Sequence, residues 1–330
     1  MPPIERIPLC QLPTPMHPLP RLGPELGIDL WIKRDDLTGF AGGGNKGRKL
    51  EFLMAEAVAQ GSTAVVSCGA SQSNFIRQLG AACAVLDMRC VAATMDAPFE
   101  TVDRQMRDVP AEGGNLALDR WFGIERHRVA DGTWHELEAH AEFLERELAD
   151  QGEKVYRISL GGSSVLAVQA FVEAGREVGA DFDWVVTASS SGSTQIGLAH
   201  AFSGSKTKVV GISADPEPEI IDDLLELSAR YGDWAGVPAL EMEDIIFDLD
   251  HVGPGYGVAG PEAESALALM AQREGILLDP VYSAKAFAGL VSLARSGRIS
   301  GRVLFWHTGG IPALFAQARG HSPSGELSGK

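Results

Sequence analysis

Four times along the chain a short apolar run is followed by a turn rich in Gly, Ser or Asn and then by a helical pattern. Ala64-Val65-Val66-Ser67 leads into Cys68-Gly69-Ala70-Ser71-Gln72-Ser73-Asn74, and the less evenly apolar Val155-Tyr156-Arg157-Ile158 leads into Leu160-Gly161-Gly162-Ser163-Ser164. Trp184-Val185-Val186-Thr187 precedes Ser189-Ser190-Ser191-Gly192-Ser193-Thr194, and Val303-Leu304-Phe305-Trp306 precedes His307-Thr308-Gly309-Gly310. Apolar strands alternating with helices predict an α/β protein of open, twisted parallel sheets covered on both faces. Ligands of such sheets bind outside the carboxyl ends of the strands, where all these turns would lie.

The helical patterns are legible too. Leu50, Leu53, Met54 and Ala57 recur at helical spacing, which predicts a helix beginning at Lys46 behind Gly42-Gly43-Gly44, with Asn45 as its N-cap. Its first turn holds Lys46, Arg48 and Lys49, the wrong sign for the helix dipole. Either these side chains bend into solvent from a basic surface helix, or something neutralises or consumes one of them, as a Schiff base would. Trp134, Leu137, Ala141, Leu144 and Leu148 form one face of a helix from Trp134 to about Asp150, expected to pack without carrying chemistry. Leu30 to Asp36 reads as a short strand ending in charge, and the proline-rich residues 1–30 as an extended arm over the body. The acidic run from Asp215 to Glu226 reads as a solvated helix face and connector, and residues 319–330 as a disordered tail.

Composition narrows the partners. The 330 residues, 45% of them hydrophobic, suffice for one large or two ordinary domains. A formal net charge of -16 argues against nucleic acid and anionic membranes and favours small-molecule chemistry. No apolar run reaches the roughly 18 residues of a membrane helix, and the Pro-rich start lacks the apolar core of a signal peptide. Cys10, Cys68, Cys83 and Cys90 show no paired spacing and read as reduced thiols, which suits a cytoplasmic location. The eight histidines show no HxxxH pair, so no metal centre is expected, and His307 at a strand end reads as structural.

Candidate chemistry sits in the turns. Ser189 to Thr194 offers backbone N–H groups and hydroxyls to a phosphate; it is equally readable as a Ser-rich surface turn. Gly192 and Gly197 have the spacing of a nucleotide-binding loop, but Leu198-Ala199 stand where Lys-Ser/Thr is needed, so a single phosphate ester fits better than a triphosphate. Ser71-Gln72-Ser73-Asn74 is a seat for a carboxylate or simply a helix cap. Tyr256 and Tyr282 each lie among turn residues, where a phenol either moves protons in a cleft or packs half-buried.

In this order the stretches resemble one family, the pyridoxal 5′-phosphate (PLP) enzymes of the tryptophan-synthase-β fold type (fold type II), and within it the D-cysteine desulfhydrase and 1-aminocyclopropane-1-carboxylate (ACC) deaminase group. The match runs from Leu12-Pro13-Thr14-Pro15 to Ile311-Pro312-Ala313-Leu314. It is most specific at Ile32-Lys33-Arg34-Asp35-Asp36, Gly43-Gly44-Asn45-Lys46, Gln72-Ser73-Asn74, Gly192-Ser193-Thr194, Gly255-Tyr256-Gly257, Leu278-Asp279-Pro280-Val281-Tyr282 and His307-Thr308-Gly309-Gly310. The resemblance implies a homodimer of two α/β domains with the cofactor between them: residues 1–50 and 160–330 the larger, PLP-binding one, residues 51–159 the smaller. It implies that Lys46 carries PLP as a Schiff base and that Asn45 bonds its 3-oxygen. Ser191, Gly192, Ser193 and Thr194 would hold the phosphate, and Ser283 or Thr308 would face the pyridine nitrogen. Ser73 and Asn74 would hold the substrate carboxylate, with Tyr256 and Tyr282 flanking the substrate.

Two positions separate the subgroups. ACC deaminases carry a glutamate after the tyrosine of the DPVY motif and a leucine in the later Gly-Gly loop; Ser283 and Thr308 here look more like the desulfhydrases. One departure is Phe75, where desulfhydrases usually have a histidine after Gln-Ser-Asn. The expected activity is β-elimination from a small β-substituted amino acid, a carbon-sulfur lyase or deaminase reaction giving pyruvate, ammonia and the β-group. Thiols should be preferred to charged leaving groups. ACC ring opening and L-cysteate desulfonation are the enzymatic alternatives, and a PLP-binding carrier or sensor the non-enzymatic one.

Overall fold

The computed structural model describes residues 5–96, 112–179 and 181–317; the expected disordered tail, 319–330, lies outside them. The chain begins with β1 (Met16–Pro18), α1 (Leu22–Leu26), β2 (Asp29–Arg34), α2 (Lys46–Ala59), β3 (Ala64–Ala70), α3 (Asn74–Val85) and β4 (Arg89–Met95). Then follow β5 (Glu112–Gly113), α4 (Gly114–Trp121), β6 (Glu125–Arg128), α5 (Trp134–Asp150), β7 (Val155–Arg157), α6 (Val165–Arg176) and β8 (Trp184–Ser189). The last third holds α7 (Ser193–Phe202), β9 (Lys208–Ser213), α8 (Ile220–Ala235), β10 (Ile246–Asp248), α9 (Pro261–Glu274), α10 (Ser283–Arg295), β11 (Arg302–His307) and β12 (Ala316–Gln317).

Two sheets result. One has the order β1-β2-β11-β8-β9-β10 and the other β6-β4-β3-β7; β12 and β5 add a small antiparallel pair. Apart from β1, which runs antiparallel to β2, both larger sheets are parallel. Their central strands are buried on both faces, as the continuous apolar runs require: every residue of β3 is buried. Helices α1, α9 and α10 close one face of the six-stranded sheet, and α6, α7 and α8 close the other. The four-stranded sheet lies between α2 and α3 on one side and α5 on the other. Helix α6 joins the two: Val168 and Phe171 pack with the first sheet's core, Leu166 and Ala170 with the second's.

The proline-rich start is only partly an arm. Leu9 and Cys10 donate backbone N–H groups to the buried Glu51 carboxylate (both 2.9 Å), laying that stretch on α2. Beyond it the chain forms β1 and α1, because Leu19, Leu22 and Leu26 supply an apolar face that residue-level proline content concealed. Strands β4 and β9 extend the sheets beside the four strands visible as motifs.

The first turn of α2 does not bend into solvent. Arg48 is buried and donates from Nε and one terminal nitrogen to the two oxygens of Asp35 (2.9 and 2.8 Å), and from both terminal nitrogens to Glu177 (2.6 and 2.9 Å). Glu177 also takes the buried Lys33 ammonium at 2.7 Å. Asp35 further accepts from Thr14 Oγ1 and Trp306 Nε1. Burial alone would push the Arg48 pKa down; Asp35 and Glu177 overturn that and raise it. Removing one partner of such a buried network leaves the other uncompensated, at about 3–5 kcal/mol. Asp35→Ala should therefore lower unfolding stability by about 3–5 kcal/mol in denaturant titration, whereas Glu226→Ala, which breaks only the exposed pair with Arg230, should change it by less than about 1 kcal/mol.

Candidate active site

Turns from both sheets surround one cavity of about 290 Å³. Helix α2 brings Asn45, Lys46 and Lys49 to it, and the turn after β3 brings Ser73, Asn74 and Phe75. The turn after β8 contributes Ser189 to Gly192 and Thr194, and Tyr256, Tyr282 and Thr308 complete the wall. Of the site residues expected from sequence, only Ser193 and Ser283 do not line it.

The glycines before α2 act by close approach. A Cβ on Gly43, whose φ is +80°, would stand 1.9 Å from the Asp36 carbonyl oxygen. The Gly43 carbonyl in turn accepts from Arg77 (2.8 Å) and Gln78 (3.2 Å) of α3, so the turn that starts α2 is tied to the neighbouring helix. Asn45 precedes the helix but makes no side-chain cap. Its amide nitrogen reaches instead to Thr194 Oγ1 at 3.1 Å, linking the lysine turn to the Ser-rich turn.

Lys46 and Lys49 lie side by side, one helical turn apart. Neither forms an ion pair among the described residues, and Lys49 Nζ donates to the Gly161 carbonyl at 3.1 Å. Burial lowers the Lys46 pKa; burial and then the neighbouring Lys46 lower that of Lys49 further. Two buried amines without an ion pair, side by side in one cavity, suit an aldehyde, which consumes one, together with an anion, which answers the other. Gly192, with φ +82°, opens the turn that would cradle that anion; a Cβ there would meet Leu224 at 2.2 Å. Ser193 opens α7 beside it with a buried hydroxyl that has no hydrogen-bond partner among the described residues. These residues fit a pyridoxal phosphate.

On the opposite wall the Tyr256 and Tyr282 hydroxyls are 2.5 Å apart. Burial raises both phenol pKa values, with Asp215 adding to it for Tyr256 and the facing phenol for Tyr282, so both stay protonated at neutral pH. Ser73 caps α3 through a bond from the Ile76 N–H (3.3 Å) and also lines the cavity. Phe75 is 1% exposed and stands against Gly162, where an added Cβ would lie 2.4 Å from its ring. The Ser283 hydroxyl donates to Asp279 Oδ1 (2.6 Å) and accepts from the Asp279 N–H (2.7 Å). His307 is structural, its Nε2 2.9 Å from the Leu277 carbonyl oxygen.

Among the lining residues without a sequence-derived role are Lys49, Trp134 and Asp215. For Lys49 the available signal is its place one turn after Lys46. Trp134 begins the helix that was read as carrying no chemistry, yet its ring meets Tyr256 edge-on at 5.5 Å and lines the cavity. Asp215, read as part of a solvated connector, is buried in the wall; the run turns inward at its first residue because β9 delivers it there.

Comparison with known proteins agrees in kind. The family described as pyridoxal-phosphate dependent enzymes matches residues 7–309. A D-cysteine desulfhydrase of Klebsiella pneumoniae is 37% identical over 320 residues, covering 94% of this chain and 95% of that protein. One of Yersinia enterocolitica is 37% identical over 326 residues, with the same coverage. The crystal structure of an ACC deaminase homologue superposes with a TM-score of 0.85 at 34% identity, covering 95% of this chain and 94% of its own. A hydrogen sulfide-producing enzyme of Fusobacterium nucleatum, 17% identical with a TM-score of 0.65, shares the fold.

Two predictions test the geometry. Protein loaded with pyridoxal phosphate should be yellow, and borohydride should fix the cofactor to Lys46, as read by peptide mass. Lys46→Ala should lose the link. Lys49→Ala should keep it but bind the cofactor about 10–100-fold more weakly, the loss of one hydrogen bond to a charged group at about 1.5–3 kcal/mol. Labelling at Lys49 would overturn the assignment. Gly192→Val combines a disfavoured φ with a blocked approach to the turn, and cofactor affinity by equilibrium titration should drop by several kcal/mol, on the order of three such bonds; unchanged affinity would put the phosphate elsewhere.

Proposed function

Because the chain belongs to the pyridoxal-phosphate dependent enzymes, we propose that it is a β-eliminating lyase acting on a small β-substituted amino acid, with D-cysteine the leading substrate and pyruvate, ammonia and sulfide the products. Its cofactor is pyridoxal 5′-phosphate. The observation that carries the reading is the joint lining of one cavity by Lys46, the Ser189–Thr194 turn and the tyrosine pair, in a chain 37% identical to D-cysteine desulfhydrases over nearly its whole length.

Lys46 would hold the cofactor's aldehyde carbon and Asn45 its 3-oxygen. Lys49 and the turn at Ser191, Gly192, Ser193 and Thr194 would hold its phosphate. With the Ser283 proton engaged by Asp279, Thr308 is the hydroxyl left to face the ring nitrogen. When bound, the cofactor supplies an electron sink for the pair released by Cα–H cleavage. Ser73 and Asn74 at the start of α3 would orient the substrate carboxylate. Lys46, its pKa lowered by burial, is the amine suited to take the Cα proton. Tyr256 and Tyr282, kept protonated by burial, are suited to donate rather than accept. Phe75 walls the β-position with an apolar face.

The same reading takes the protein as a cytoplasmic homodimer. Its four cysteines are free, in keeping with a reducing compartment, and no described helix is long and apolar enough to cross a membrane.

Pyruvate release across D- and L-β-substituted alanines tests the activity. D-Cysteine should turn over, ACC should give little 2-oxobutyrate, and cysteate should be slower than cysteine. Phe75→His should move the preference toward polar β-groups, about tenfold for each 1.4 kcal/mol recovered. Efficient 2-oxobutyrate formation from ACC would replace elimination with ring opening, and cysteate outrunning cysteine would remove the role given to Phe75.

A further inference from the structure

The turn that brings Ser73 and Asn74 to the cavity is held from behind by a closed network. Arg77, fully buried on α3, donates from one terminal nitrogen to Asn74 Oδ1 (3.2 Å) and Asn115 Oδ1 (2.7 Å), and from the other to the Gly43 carbonyl (2.8 Å). Asn115, equally buried at the start of α4, donates from Nδ2 to Asn74 Oδ1 (3.0 Å) and to the Gln72 carbonyl (2.7 Å). Its backbone N–H goes to Gln72 Oε1 (2.8 Å). Burial pushes the Arg77 guanidinium down to about 10, with Asp119 opposing, so it keeps its charge at neutral pH.

This wiring fixes which way the Asn74 amide faces. A guanidinium has donors only, so the Asn74 and Asn115 atoms turned toward Arg77 are oxygens. The remaining Asn115 atom is then its amide nitrogen, and it stands against two acceptors, the Gln72 carbonyl and Asn74 Oδ1. Asn74 Oδ1 is thus engaged from behind by both Arg77 and Asn115. Its Nδ2 is left for the cavity that Asn74 lines, and makes no hydrogen bond among the described residues. Beside it the Ser73 hydroxyl accepts from the Ile76 N–H (3.3 Å), which leaves its own proton for a ligand.

We propose that Arg77 and Asn115 are positioning residues that lock Asn74 as a hydrogen-bond donor, so that the seat takes an α-carboxylate in preference to an α-carboxamide. Through the Gly43 carbonyl the same guanidinium ties that seat to the turn from which Lys46 starts α2. The proposal rests on the reading of Ser73 and Asn74 as the carboxylate seat and deepens it. A reversed Asn74 would present an oxygen instead, which repels a carboxylate yet can accept an N–H from a carboxamide. The two ligand classes therefore report the orientation of the amide, and a general loosening of the turn would weaken both alike.

The test titrates holoenzyme with alanine and alaninamide, which lack a β-leaving group, in both enantiomers, following the cofactor's absorption. The unmodified protein should bind alanine more tightly than alaninamide. Arg77→Gln should cut that preference about tenfold, the worth of one hydrogen bond to a charged group, by weakening alanine and sparing alaninamide. Arg77→Lys keeps the charge without the planar fork and should lose the preference as well. Asn115→Asp sets an acceptor against Asn74 Oδ1, should act in the same direction, and serves where the Arg77 variants fail to fold. Gln78 Nε2 shares the Gly43 carbonyl (3.2 Å), so the Arg77 variants keep one tie to that turn and should stay yellow. A preference that survives the variants, full retention in Arg77→Lys, or equal weakening of both ligands overturns the orienting role and leaves the seat standing. Equal binding of the two ligands by the unmodified protein would sink the seat and this role with it. The lyase reading fails separately, by absence of pyruvate from every β-substituted alanine.

Discussion

The position of everything in the cavity depends on burying a charge, the Arg48 guanidinium, at the N-terminal turn of α2. Cations are disfavoured there by the helix dipole and doubly so away from water, so the turn exists only because Asp35, from the end of β2, and Glu177, from the end of α6, meet that guanidinium with four hydrogen bonds. Asp35 lies 13 residues before Arg48 and Glu177 lies 129 residues after it. Together they set the rotation of α2, and with it the direction in which Lys46, two residues before Arg48, enters the cavity. Gly43 fixes the other side of the same turn, since its contact with Asp36 leaves no room for a side chain.

With Arg48 paired, the lysines beside it are left unpaired, and this asymmetry follows from where the acids are. Asp35 and Glu177 lie on the outer side of the α2 turn, while the inner side meets carbonyls and hydroxyls such as Gly161 and Thr194. One face of the turn is thus electrostatically complete and structural. On the other, burial lowers both lysine pKa values, which favours the unprotonated, nucleophilic form of an amine.

Much of this was legible locally and some of it was not. The start of α2 at Lys46 followed from three glycines and a helical apolar spacing, and the turns after β3, β8 and β11 were readable because apolar runs ended in Gly, Ser and Asn. What escaped was any property set by a partner far away in sequence. Asn45 looked like a cap, yet its amide is taken by Thr194, 149 residues on. Arg48 looked like a surface cation because nothing near it in sequence announces Glu177. The run beginning at Asp215 is acidic enough to read as solvated, and only the exit direction of β9 places its first carboxylate inside. Trp134 belongs to a helix whose apolar face was read correctly, but at the helix start that face continues into the cavity wall.

The cavity wall carries the amines of Lys46 and Lys49, the carboxyl group of Asp215 and the two protonated phenols of Tyr256 and Tyr282. That distribution assigns the protons before any ligand is considered. An amine whose pKa is lowered by burial gives up its proton readily and can later accept one, while a phenol whose pKa is raised holds its proton at neutral pH and can only donate a hydrogen bond. A reaction that removes a proton from one carbon and releases a group from the next needs an acceptor and a donor that do not neutralise each other. In this wall the lowered pKa values fall on the amines and the raised ones on the phenols, so the two roles rest on different groups.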